Sequence, residues 1–182
     1  SGMIAPKMAT MLSFIFTNAE ISEKKFNKTF KEIVNETFNS ITVDGDTSTS
    51  DMVLFVSVKN PDKTTSLGNF SKIEFKESLK DLMLKLAHLI IKDGEGASKF
   101  ISISVKGTSG IHEARKVAFS VANSPLFKTA MAGSDLNWGR IIMAIGKSGV
   151  KVNEKNISIK FGNHFIVKKG KDFLKFSLKK IE

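Results

Sequence analysis

Residues 71–92 constrain what this chain can fold into more than any other stretch. Phe75, Leu79, Leu82, Met83, Leu86, Leu89 and Ile90 recur there every three or four positions, the spacing that lines one face of a helix. A stripe of that length is stable only when other elements cover it. The covering elements are legible upstream. Residues 11–17 (MLSFIFT) form an apolar, β-favouring run that reads as a buried strand, and residues 52–58 read as a second strand. Between them Ser22 is a candidate helix cap, followed by Phe26, Phe30, Ile33, Val34 and Phe38 at helical spacing, with the helix ending near Asn39.

The remaining chain continues the alternation. Asn60-Pro61-Asp62 predicts a turn and residues 64–69 a surface loop. Gly94 is expected to stop the long helix by taking the left-handed conformation. Ile101, Ile103 and Val105 alternate with Ser102 and Ser104 as in a half-buried strand. Residues 113–123 predict a helix stopped by Pro125, and residues 138–145 another, bounded by Gly146 and Gly149. Gly162-Asn163 between residues 157–161 and 164–168 signals a hairpin, and residues 173–178 a last strand. Strands and helices in this order indicate a layered α/β or α+β domain.

Composition narrows the function class. No window reaches the roughly 18 apolar residues of a membrane span. The N-terminus lacks a basic segment followed by an apolar one, and there is no cysteine, which together fit the cytoplasm. The net charge of +10 comes almost wholly from lysines, with Arg115 and Arg140 as the only arginines. These lysines are scattered, without RNA-binding signatures or basic blocks, so a solvated surface is expected rather than a nucleic-acid face. His88, His112 and His164 match no metal-ligand spacing, so no metal is expected. Gly146-Lys147-Ser148 ends like a phosphate loop, but Ile141 stands where the first glycine must be.

The Ala9-Thr10 bond carries the most chemistry. If it were cut, Thr10 would hold both a hydroxyl and a free α-amine. That amine titrates near pH 8, so it can serve as base for its own hydroxyl. The residue types alone favour a plain strand-edge threonine, because Ala-Thr pairs are common. Three other places invite a role. Residues 42–51 hold Asp44, Asp46 and Asp51 among hydroxyl side chains, either as self-satisfied turns or as a wall supporting a site. No glutamate closes that loop as in a calcium-binding hand. Glu95 reads as a solvated carboxylate just past a helix end. Arg140 either meets a substrate carboxylate or anchors a helix start.

Four stretches in order, GMIAPKMATMLSFIFTNA, ITVDGDTST, DGEGA and NSPL through NWGR, resemble the ornithine acetyltransferases. These are the bifunctional enzymes of arginine biosynthesis that also act as glutamate N-acetyltransferases. The resemblance implies a self-cleaving fold of the N-terminal-nucleophile type. It implies that Thr10 cuts the chain after Ala9, accepts acetyl from N-acetylornithine and passes it to glutamate, with no cofactor. Acetyl-CoA serves some members as a donor. Glu95 would contact bound substrate, its carboxylate suiting the ornithine amine. Ser50 stands where the family usually has asparagine.

The same resemblance implies that partner segments complete the site. In the family an upstream subunit supplies the Thr-Gly oxyanion hole and a substrate lysine, and a C-terminal segment adds an asparagine and a hydroxyl residue. The chain therefore reads as one catalytic-subunit fragment that is inactive alone. Its expected parts are a pre-cleavage segment (1–9), a nucleophile-bearing part (10–106) and a smaller α/β part (107–182). An oligomer of α–β units is expected, with no nucleic-acid or membrane partner. The competing classes are an N-terminal-nucleophile aminopeptidase or amidase, with water as acceptor, and a non-catalytic basic binding module.

Overall fold

The computed structural model describes residues 11–19, 21, 23–58 and 72–172. Ala9, Thr10, the Ser22 cap, the turn at Asn60-Pro61-Asp62, the loop at 64–69 and the strand at 173–178 all lie outside the described residues. The chain divides into two compact units, Ser1–Ala97 and Ser98–Glu182. Each mixes helix and sheet, an α+β architecture.

In the first unit, strand β1 (Leu12–Thr17) leads through helix α1 (Glu23–Glu36) and a 3-10 turn (Phe38–Ser40) to strand β2 (Met52–Ser57). Helix α2 (Lys72–Lys92) follows. The two strands pair in parallel from Leu12 opposite Met52 to Thr17 opposite Ser57, which requires a crossover such as α1 provides. Ile15, Ile33, Phe38, Leu79, Met83 and Ala87 form the core, with Phe26, Phe30, Phe55 and Phe75 packed against it. The rings of Phe26 and Phe55 lie 4.7 Å apart between centroids.

The stripe on α2 is narrower than the spacing predicts. Leu82 and Leu89 stand in solvent, and the small Ala87 fills the helix contact instead. Ala87 is fully buried and belongs to the core cluster with Leu79 and Met83. Strand β1 is likewise buried on one side only. Ser13 and Ile15 point inward, while Leu12, Phe14 and Phe16 are 53%, 50% and 67% exposed. Met52 and Leu54 of β2 extend this open apolar face, in register with Leu12 and Phe14.

Two ion pairs clip α1 to α2, Lys76 Nζ to Glu32 at 3.1 Å and Lys80 Nζ to Glu36 at 2.6 Å. The Lys80 ammonium donates to the Glu36 carboxylate and holds it below its usual range, and Glu36 in turn raises Lys80. At the end of α1, Thr37 is fully buried and its hydroxyl donates to the Ile33 carbonyl at 2.7 Å.

The second unit holds α3 (Ile111–Ala122), α4 (Pro125–Ala132) and α5 (Trp138–Lys147), then β3 (Ile159–Phe161), β4 (His164–Lys168) and β5 (Lys171–Asp172). Pro125 does stop α3, but it also opens α4. Ser124 caps that helix by accepting from the Phe127 N–H, and proline is well suited to a first helical position, whose N–H has no partner to lose. Gly146 sits inside α5 rather than bounding it. Residues 97–106 form no strand, because no described segment pairs with them and an extended run needs a ladder partner. The hairpin at Gly162-Asn163 is present, with Gly162 at φ 54°. A second tight turn follows at Lys169-Gly170, where both residues take positive φ. Val121, Phe127, Ala130, Ile141, Ala144, Ile159 and Val167 make this unit's core. Among the described residues, no helix is long and apolar enough to cross a membrane.

Candidate active site

The loop at residues 42–51 is built from its own side chains. Asp44 Oδ1 accepts the Asp46 N–H at 3.0 Å and Ser48 Oγ accepts the Ser50 N–H at 3.1 Å. These are the short side-chain turns that aspartate and serine form in place of regular structure. Gly45 takes φ 93° within the first of them. Asp51, the last aspartate, does something different. Its Oδ1 accepts the N–H of Met11 at 2.9 Å, and the N–H of Met52 donates to the Met11 carbonyl at 2.9 Å. Met11 is thereby held on both sides at the entry of β1. It is the residue that follows Thr10.

Glu95 lies in the turn that ends α2. The Ala97 N–H donates to the Gly94 carbonyl at 3.0 Å, which places Glu95 and Gly96 at the two central positions. Gly96 takes φ 70°, so it is the left-handed residue and Gly94 is not. That geometry, with a left-handed second central residue, is a type II turn, and glycine is its natural occupant. Gly94 has another task. A Cβ there would stand 3.1 Å from the Ile91 carbonyl oxygen and 3.5 Å from Val43 Cγ1, so the bare glycine lets the loop pack against the helix end. Glu95 itself is exposed. Loop 42–51 thus touches the Gly94 end of the DGEG turn through Val43 and the start of β1 through Asp51.

The two ends of the fourth stretch, NSPL and NWGR, meet in the second unit. Arg140 Nη1 donates to the Leu126 carbonyl and to Thr129 Oγ1, both at 2.8 Å, tying α5 to α4. Trp138 packs against the core of that unit. Of the two roles open to Arg140, the helix anchor is the one these bonds describe. Among the described residues, no three histidine, aspartate or glutamate side chains gather as metal ligands. The Asp51–Met11 contact was hidden from sequence reasoning because it spans 40 residues. Its one available signal is an aspartate immediately before a strand that pairs in parallel with the strand after Thr10.

The profile of the ArgJ family matches residues 1–181, nearly the whole chain. The chain belongs to that family. It is 45% identical over 170 residues to the arginine biosynthesis bifunctional protein ArgJ of Ruegeria pomeroyi, covering 93% of this chain and 41% of that protein. The protein of the same name from Zymomonas mobilis is 46% identical over 178 residues, covering 93% and 42%. The crystal structure of the arginine biosynthesis bifunctional protein ArgJ from Bacillus halodurans aligns with a TM-score of 0.81 at 42% identity. That alignment takes in 90% of this chain and 77% of the other. The chain spans about two fifths of the length of these curated ArgJ relatives. The ArgJ match also runs through Ala9 and Thr10.

Proposed function

We propose that this chain is the nucleophile-bearing part of an acetyltransferase of arginine biosynthesis, one that moves acetyl from N-acetylornithine to glutamate. The observation that carries the reading is ArgJ membership across residues 1–181 with an intact Ala9-Thr10 pair in place. Thr10 Oγ attacks the Ala9 carbonyl, the peptide bond becomes an ester, and water releases the upstream segment. The freed α-amine then takes the hydroxyl proton as Oγ attacks the acetyl carbonyl of N-acetylornithine. Ornithine leaves with that proton, and the glutamate amine removes acetyl from the threonine ester. Glu95 holds the substrate by its charge, at a corner that Gly94 and Gly96 fix.

No cofactor enters this cycle, and acetyl-CoA is an alternative acetyl donor to be assayed. The oxyanion donors come from the upstream segment of the same precursor. Losing one such donor costs on the order of 3 kcal/mol of transition-state stabilisation, so the chain alone is inactive. The open face of Leu12, Phe14, Phe16, Met52 and Leu54 is where the remaining polypeptide of an ArgJ protein would pack. Its relatives are more than twice as long, which supports that occupant. An assembly of α–β units in the cytoplasm completes the reading.

The test is the intact mass of the protein expressed from its complete gene. Two fragments are expected, the second beginning at Thr10, and Thr10→Ala should abolish both the cut and acetyl transfer. Transfer that survives in Thr10→Ala removes Thr10 from the mechanism. Acetyl release to water without transfer to glutamate would instead make the protein a hydrolase.

A further inference from the structure

We infer that Asp51 is a positioning residue for the Thr10 nucleophile, acting as a hydrogen-bond acceptor on the peptide unit that joins Thr10 to Met11. The inference rests on the proposed role of Thr10. The N–H of Met11 and the carbonyl of Thr10 belong to one planar peptide group, so fixing the N–H fixes the plane on the C-terminal side of the nucleophile. Asp51 Oδ1 accepts that N–H at 2.9 Å, and the Met52 N–H holds the next carbonyl at the same distance. Asp51 and Met52 are consecutive, so the side-chain bond and the backbone bond both come from the entry of β2. Two of the turns in loop 42–51 are closed by its own side chains, those of Asp44 and Ser48, which delivers Asp51 to this place. β1 cannot supply the acceptor itself, since its partner strand β2 begins only at Met52.

A reacting group that is displaced by about 1 Å loses on the order of a hundredfold in rate, which makes the first peptide plane worth holding. Asp51 touches neither substrate nor scissile bond in this scheme and works only through Met11. An amide oxygen accepts the same N–H, so the carboxylate charge is dispensable.

The experiment compares Asp51→Ala and Asp51→Asn in the protein expressed from its complete gene. Readouts are the self-cleavage rate by intact mass, kcat and KM for acetyl transfer, thermal unfolding, and exchange of the Met11 amide by NMR. Asp51→Ala should slow cleavage by on the order of tenfold to a hundredfold and lower kcat at unchanged KM. Its unfolding transition should stay within a few degrees of native while Met11 exchange speeds up. Asp51→Asn should cleave within about threefold of native, because the acceptor is kept. Cleavage at the native rate in Asp51→Ala overturns the inference, as does an Asp51→Asn protein that folds but cleaves as slowly as Asp51→Ala. Should Asp51→Ala fail to fold, the Asp51→Asn rate alone decides. A native protein that stays uncut removes the Thr10 reading itself, and with it the task given to Asp51.

Discussion

Replacing Phe14 and Phe16 together by threonine tests whether the open face of β1 is covered in the complete protein. The two rings are 50% and 67% exposed. A phenylalanine brings roughly 200 Å² to a contact, so covering these rings would remove about 100 and about 130 Å² from water. At about 25 cal/mol per Å² that is roughly 5 to 6 kcal/mol, an upper figure because denatured chains already hide part of such surface. Threonine keeps the β preference, so if the face stays in water the swap costs less than about 1 kcal/mol. The assay is urea unfolding of the complete protein, native against Phe14→Thr/Phe16→Thr, with the slope checked for constancy. A loss of about 3 kcal/mol or more is expected. A loss below about 1 kcal/mol would mean that nothing packs on these rings, and the proposed seat of the remaining ArgJ polypeptide would fall.

Three further outcomes follow from particular contacts. Gly170→Ala would put a Cβ 2.9 Å from the Glu154 carbonyl oxygen at φ +71°, against backbone that cannot yield. It should cost about 2 to 3 kcal/mol in chemical denaturation. Gly162→Ala, at φ +54° with nothing within 4 Å, should cost only about 1 kcal/mol, and equal losses would contradict the steric account. Arg140→Met should cost about 1 to 2 kcal/mol of stability by removing the bonds to Leu126 and Thr129. Lost acetyl transfer with an unchanged unfolding midpoint would return Arg140 to a substrate role. The Lys80–Glu36 pair sets a pH dependence. Glu36 is depressed by Lys80, so its contribution is present above its ordinary 4.5 and fades as pH falls through the lowered value. Lys80 is raised, so its share is complete below 10.5 and fades as pH climbs through the raised value. Both side chains are more than a third exposed, so Lys80→Met should lose only about 0.5 kcal/mol at pH 7. That difference should shrink as pH falls through the lowered Glu36 value, and a difference that stays constant across the acid range would point to packing of the lysine stem instead.

The helices of the first unit were legible because their apolar positions repeat at helical spacing, and β1 and β2 because their residues favour strands. What the pattern could not say was which side of each would be covered. Leu82 and Ala87 show this well, since hydrophobicity favours the first, yet Leu82 is exposed and Ala87 is buried. Helix α4 was hidden behind Pro125, read as a stop when Ser124 makes it a start. Ile101, Ile103 and Val105 have the rhythm of a strand, yet rhythm cannot provide the neighbour a ladder needs. At the candidate site, Thr10 and Glu95 carried no local signal stronger than any exposed threonine or glutamate, and the resemblance alone singled them out. Glycine at the turn was readable, but the left-handed position is Gly96 rather than Gly94. Asp51 could be found only once β1 and β2 lay side by side.

The parallel pairing of β1 and β2 also has a consequence for how the protein is made. Leu12 must wait for Met52, 40 positions downstream, before its ladder can close. Meanwhile β1 leaves the ribosome as LSFIFT, a six-residue run with no charge, proline or glycine. Runs of that kind stack readily with their own copies, and β2 (MVLFVS) belongs to the same class. Synthesis at lower temperature, or with chaperones that hold extended apolar segments, should therefore raise the yield of folded protein more than any change to its lysine-rich surface.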